Sequence, residues 1–516
     1  MKNAFRQSMG WLHTWAGLVV GWVLFFMFLT GTAGYFDVEI DRWMQPERSL
    51  PQAAMPAERA AAVGLKRLAA AAPGAERWFI GLPGYRSPDL RLFWRMPPGP
   101  DGKRGATGRA QLDAATGEPL QHRDTGGGQL LYRMHYDFHY MPHKVANWIA
   151  GVCTMFMLIA IVTGIVIHKR IFADFFTFRS HKGQRSWLDA HNVLSVLALP
   201  YHLMITYSGL IFFAYLYMAP VVAATYGAGE ENRRVYFDEL SGRDDIPERA
   251  GPPAALAPLG PLVKDAERRM GAGGVHYLNI YNPGDANARV VIAGGELVPS
   301  RKRTKLRFDG TTGTLLRASN PHSASYVTWQ TLLGLHEGLF AGPALRWLYF
   351  LTALMGTAMI GAGLVLWTAK RRAKTGGTVG FRLVEKLNIG TVAGLPIAVA
   401  AFFWANRLIP VGLEGRAAWE AHAMFIVWAS MLLHAFFRPA SRAWGEQLWL
   451  AAGAFGLLPL LNALTTDKHL GVTLPARAWE LAGFDLTMFG FGAAFAWVAL
   501  SRMRKNRRSA KQTVPA

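Results

Sequence analysis

The chain has 516 residues, 51% of them hydrophobic, and its 55 Lys and Arg against 34 Asp and Glu give a net charge of +21. That charge does not point to nucleic acid, because the basic residues gather at the ends of apolar runs instead of forming one basic face on a soluble domain. A single cysteine, Cys153, excludes disulfides, CxxCH haem attachment, cysteine-ligated clusters and CxxC redox chemistry.

The apolar residues come in blocks close to the roughly 20 residues a helix needs to cross hydrocarbon. In the first segment, 1–36, the apolar run 11–36 follows Lys2 and Arg6 and is too long and too aromatic for a cleaved signal peptide, so it reads as a retained helix. The next three are 145–168, 187–217 and 344–368. Segments 37–144 and 218–343 are lobes outside the membrane; 169–186 is a cytoplasmic loop and 369–387 a basic linker. Residues 388–504 hold four more spans, near 388–404, 419–437, 445–464 and 484–500, and 505–516 is a basic tail. The expected fold is thus an α-helical polytopic membrane protein of about eight transmembrane helices. Basic clusters at Lys2 and Arg6, 168–170, 181–185, 370–374, Arg438 and Arg442, and 502–508 place both termini in the cytoplasm by the positive-inside rule. In a bacterium this means the inner membrane, with periplasmic lobes.

The first four spans read as a duplication. Eighteen residues separate His13 from Gly31, and eighteen separate His191 from Gly209. Each lobe then runs through a helix, WFIGLPG at 78–84 or YLNIYNPG at 277–284, a strand, and LDAATGEPL at 112–120 or FDGTTGTLL at 308–316. The returning spans match from Trp148 to Gly164 and from Trp347 to Gly363, each after a histidine-bearing segment. A pseudo-twofold along the membrane normal would set His13 opposite His191 and His135 opposite His336.

Histidines carry the chemistry. His191 and His202 are 11 residues apart, which on a continuous helix returns to within about 20° of one face, some 16 Å farther along. One helix would then serve two stacked haems, since neutral imidazole is an axial ligand for haem iron. Asp189 reads as a helix cap or as an acceptor for a ligand's other ring nitrogen. A single histidine in a membrane helix is more often polar glue between helices, but histidines at 13, 135, 139, 143, 168, 191, 202 and 336 form two levels beside the first four spans. The cofactor expected is haem b, two per chain. His13 and His191 suit the inner haem, with His168 as substitute ligand. For the outer haem His202 would pair with His336, His135 or His139, or His135 with His336, His202 then standing behind them. His143 ranks lowest, and His422 and His434, about 120° apart on one helix, speak against a third haem. Glu420 and Arg407 are available to a quinol site in the last four spans. There is no GxGxxG after a strand, no Walker lysine, no HExxH and no GxSxG, so electrons would come from quinol or from a separate cytoplasmic reductase.

Together WLHTWAGLVVGW, LDAATGEPL, HYDFHYMPH, DAHNVLSVLALPYHLMITYSG and LLGLHEGLFAGPALRWLYFLTALMGTAMIGAGLVLW resemble the PepSY-associated transmembrane family, over roughly residues 8–372. The resemblance implies two small α+β PepSY-like periplasmic lobes. It also implies haem b ligated by His13, His191, His202, His336 and the His135/His139 group, and reduction of ferric siderophores in the periplasm during iron acquisition. The four extra C-terminal spans depart from the shorter members. On this reading Arg77, Trp78, Arg91 and Trp94 contact an anionic or catecholate ferric siderophore, and membrane lipid surrounds the spans. Two rivals are a non-redox module whose lobes bind or inhibit a periplasmic peptidase, and a siderophore or metal permease, which would want broken helices and charges at mid-membrane.

Overall fold

A computed structural model describes residues 2–512 apart from 51, 85–87, 101, 102, 104, 169–178, 180–182, 242–245, 272, 302 and 319–322. The basic residues expected at 169, 170, 181 and 182 lie outside the described residues. The chain forms two compact units, one of Met1–Glu47, His122–Phe213 and Gly342–Ala516, the other of Arg48–Gln121 and Ala214–Ala341.

The first unit is helical. Among the described residues, seven helices are long and apolar enough to span a membrane: Ala4–Met44, His143–Ile167, Pro343–Thr375, Val379–Leu408, Arg416–Phe437, Ala440–Thr465 and Trp479–Arg504. An eighth is a bent pair, Gln184–Leu197 and Leu199–Phe212, turned by 70°. The bend has a local cause. Pro200 lies in the first turn of the second half, where it lacks an N–H and its ring crowds the carbonyl four residues back. The continuous helix on which His191 and His202 were expected to share a face is therefore interrupted between them, and the 11-residue spacing does not fix their relation.

The first span is also longer than its apolar run. It continues to Met44, so residues 37–47, and likewise 122–144, belong to the helical unit and not to the other one. Close packing brings the last four spans onto the first four. Asn388, 1% exposed, accepts from the Trp22 indole at 2.9 Å and donates to the Leu364 carbonyl at 2.8 Å. Gly21 lies against Leu364, where a Cβ would sit 2.8 Å from a leucine methyl.

A buried polar network joins the same parts at another level. Arg416 and Glu420, both fully buried, form an ion pair. The Glu420 carboxylate also accepts from Thr125 at 2.6 Å, from the Gly126 N–H at 3.0 Å and from Asn406 at 2.7 Å. Arg407 lies 3.7 Å over the Trp43 ring and donates to Asn462 at 3.0 Å, while Trp43 and Asn462 donate to Asp485 at 2.9 and 3.0 Å. Buried charges persist only when paired and hydrogen-bonded in this way.

The second unit is an antiparallel sheet of seven strands: β1 (Arg77–Gly81), β2 (Leu90–Arg95), β3 (Thr107–Leu112), β4 (Val275–Tyr281), β5 (Arg289–Gly294), β6 (Thr304–Asp309) and β7 (Leu315–Ala318). The order is β3-β2-β1-β4-β5-β6-β7. The two stretches expected as separate lobes thus share one sheet, joined at the β1–β4 pair. Alternation along the strands sends Trp78, Ile80, Leu90, Leu92, Leu278, Ile280, Val290 and Ile292 into one core with the helices Ala57–Ala71 and Leu259–Met270. The β1–β4 register is symmetric: Arg77 faces Tyr281, Phe79 faces Asn279 and Gly81 faces Tyr277. Matching turns close the outer hairpins. Asp113 accepts from the N–H groups of Ala115 and Thr116, and Asp309 from those of Thr311 and Thr312.

Candidate functional site

Three helical stretches carry the central histidines: the first span, the returning span His143–Ile167, and the bent pair against Pro343–Thr375. His13 bonds through Nδ1 to the Ala160 carbonyl at 2.9 Å, and His191 through Nδ1 to the Met359 carbonyl, also at 2.9 Å. Each outgoing helix thus anchors its imidazole on a backbone oxygen of its returning helix. Glycines make room for the rings, a Cβ at Gly164 lying 3.3 Å from His13 Cε1 and one at Gly363 lying 3.3 Å from His191 Cε1.

An Nδ1–H donated to a carbonyl leaves Nε2 as the lone-pair nitrogen, on the far side of each ring. Neither Nε2 has a hydrogen-bond partner among the described residues. The two rings face one another with centroids 6.2 Å apart and planes at 71°. Metal–imidazole bonds of roughly 2.0–2.1 Å, plus ~1.1 Å from nitrogen to ring centre, would put two imidazoles on one ion about 6.3 Å apart. The spacing fits axial ligation of a single metal.

The pair opens into a cavity of about 1000 Å³. This is at the upper end of the roughly 300–1,000 Å³ typical of cofactor and ligand pockets. Gly17, Gly21 and Leu24 line it, with Ala160, Met157 and Leu364. His168 and His202 line it too, so four of the eight histidines read beside the first four spans meet in one space. Among the described residues no three His, Cys, Asp or Glu side chains converge as a metal site. A haem, which brings four nitrogens of its own, would need only two imidazoles from the chain. Residues and cavity fit haem.

The remaining candidates divide. His202 is 1% exposed, its Nε2 is 3.4 Å from the Thr352 carbonyl, and its ring meets Phe28 edge-on. His135 packs on Gly31 and bonds to the Tyr132 carbonyl, and burial lowers its pKa against that bond, favouring the neutral, ligating form. His139, in the left-handed region at φ 65°, stacks on Phe425 of the last four spans. His336 belongs to the other unit, near the end of the helix Ala324–Glu337. Asp189 is held by Arg179, with bonds of 2.9 and 3.0 Å, and not by a histidine. His434 is engaged by Glu446 and Gln447, and His422 by Tyr140. Glu420 and Arg407, read as available to a quinol, are occupied by the buried network.

Several features have no sequence signal of their own. The Ala160 and Met359 carbonyls are backbone, and Tyr35, Tyr201 and Tyr349 meet as a cluster beside His202, Tyr35 and Tyr201 sharing a hydrogen bond of 2.9 Å. In the second unit Trp78 is 6% exposed and packs in the core, and the partly buried Trp94 packs against that core from the same sheet face. The opposite sheet face carries Phe79 on Tyr277, Arg303 over Tyr277 and Arg77 over Tyr281.

The family model for the PepSY-associated TM region matches residues 10–370. No curated protein matches the chain.

Proposed function

The chain belongs to the PepSY-associated TM region family, and from that premise we propose that it is a haem b electron-transfer protein of the bacterial inner membrane that reduces ferric siderophores in the periplasm. The observation that carries this reading is the His13–His191 pair, anchored through Nδ1 and facing across a cavity of cofactor size. When bound, the haem supplies a one-electron couple. The chain's own residues do the rest: Ala160 and Met359 fix the tautomer and plane of the two imidazoles, Gly164 and Gly363 admit the rings, and the apolar wall excludes water.

A second haem would draw on His202, His135 and His139 of the helical unit. The donor is quinol or a cytoplasmic reductase. The two halves are repeats: the β1–β4 register, the Asp113 and Asp309 turns, and the Ala160 and Met359 anchors, 199 residues apart, all support this. The sheet unit then corresponds to two PepSY-like lobes fused edge to edge. Its face of Phe79, Tyr277, Tyr281, Arg77 and Arg303 suits an anionic aromatic chelate, by stacking and cation–π contact. Reduction releases iron because hard oxygen ligands hold ferrous iron far more weakly than ferric.

The test is stoichiometric electron transfer. Full-length protein reduced with dithionite, desalted anaerobically and mixed with a ferric tris-catecholate should form ferrous iron, trapped by ferrozine, as its haem reoxidises. Reduced protein that leaves the chelate ferric would overturn the reductase role.

A further inference from the structure

At one end of the cavity the two halves present matching donors. His168 and Trp367 are 199 residues apart, as are Ala160 and Met359, so they are equivalent positions of the returning spans. Both line the cavity. Asn192 approaches His168 Nε2 through its amide nitrogen at 3.1 Å. An amide NH₂ only donates, so Nε2 accepts and the proton of the neutral ring is on Nδ1. That Nδ1–H is buried and has no hydrogen-bond partner among the described residues, and the same is true of the Trp367 Nε1–H.

A buried N–H without an acceptor is rare and destabilising, and two at equivalent places in two halves call for a common explanation. The surroundings specify the sign of the missing group. Lys370 and Arg371 line the same end, with the Arg371 guanidinium 4.4 Å over the Trp367 ring. Arg6 lines it as well. The carboxylate at this end, Asp189, is taken up by Arg179. Two N–H donors among cations, with no uncommitted acid among the described residues lining the cavity, match two carboxylates.

We propose that His168 and Trp367 receive the two propionate groups of the haem, one from each half, and so set its orientation between His13 and His191. The pseudo-twofold of the chain then matches the approximate twofold of the porphyrin, whose two carboxylates leave one edge side by side. His168 is on this assignment a carboxylate donor and not a substitute iron ligand. The inference rests on the haem reading above.

The experiment strips haem from the full-length protein in nanodiscs and titrates it with protohaem and with protohaem dimethyl ester, whose propionates cannot accept as anions. Wild type is compared with His168→Phe and Trp367→Phe, which keep a ring and remove the N–H. Each substitution should weaken protohaem binding about tenfold, the size of one charge-assisted hydrogen bond, and leave ester binding unchanged. The resonance Raman propionate bending band should shift in each variant while the low-spin marker bands stay in place. Equal losses for both haems would mean a packing role, and no loss for either would mean no contact; both overturn the assignment. Wild type that binds neither haem overturns the haem reading itself, a distinguishable failure.

Discussion

Replacing Gly363 with alanine tests whether helix glycines seat the axial imidazoles. The new Cβ would lie 3.3 Å from both Cε1 and Nδ1 of His191. Carbon contacts are comfortable at about 3.5–4.0 Å, so the ring must retreat by a few tenths of an ångström. Its freedom to do so is limited, because Nδ1 is tied to the Met359 carbonyl at 2.9 Å. Tilting a side chain off its rotamer costs roughly 0.5–1.5 kcal/mol, which is about a twofold to tenfold loss of haem affinity. The helix itself gains, since alanine in a helix interior is favoured over glycine by about 0.5–1 kcal/mol. Stability of the haem-free protein and haem affinity should therefore move in opposite directions. Gly164→Ala, 3.3 Å from His13 Cε1, should behave alike, and Gly453→Ala, away from the cavity and with nothing within 4 Å, should leave haem binding unchanged. The assay is haem transfer to apomyoglobin alongside thermal unfolding of the haem-free form. If Gly363→Ala holds haem as tightly as Gly453→Ala does, the glycine seat is wrong.

Two further perturbations probe the scaffold. Glu420→Ala strands the buried Arg416 guanidinium and the Thr125, Gly126 and Asn406 donors, and should cost about 3–5 kcal/mol, read as a large fall in unfolding temperature of the detergent-solubilised protein; an unchanged midpoint would remove the network's structural role. At Asp309 burial alone would raise the carboxyl pKa, but the donors of Thr311 and Thr312 outweigh it and bring it to about 2. A depressed pKa adds stability above the unfolded value near 4 that is lost as pH falls through 2, roughly 1–2 kcal/mol after allowance for solvent. Asp309→Asn should be less stable than wild type at pH 7 and should lose less between pH 4 and pH 2, followed by hydrogen exchange at β6; parallel pH profiles would refute the turn's contribution.

Much of the helical unit was legible because lipid demands long apolar runs, and those runs mark spans whatever they pack against. The ends were not, since residues 37–44 mix acidic and apolar residues yet continue the helix, held by Trp43 and Glu47 partners far along the chain. The proposed repeat makes His13 and His191 equivalent, and the two rings lie 6.2 Å apart. The helical spacing of His191 and His202 misled, because periodicity presumes a continuous helix and Pro200 ends one. Trp78 and Trp94 were misread for a related reason: aromatic residues beside arginines look exposed, but strand alternation turns the rings into the core and leaves Phe79 on the other face. Backbone acceptors such as the Ala160 and Met359 carbonyls have no signature in any sequence.

The most direct measurement is the dithionite-reduced minus oxidised optical spectrum of the purified full-length protein, with haem counted per chain by the pyridine haemochrome method. Wild type should show the sharp bands of a bis-imidazole b-type haem. His13→Ala and His191→Ala should each abolish the same haem, while Gly453→Ala retains it. Wild type without a Soret band, or a His13→Ala/His191→Ala double variant with the wild-type haem content and spectrum, would contradict the assignment.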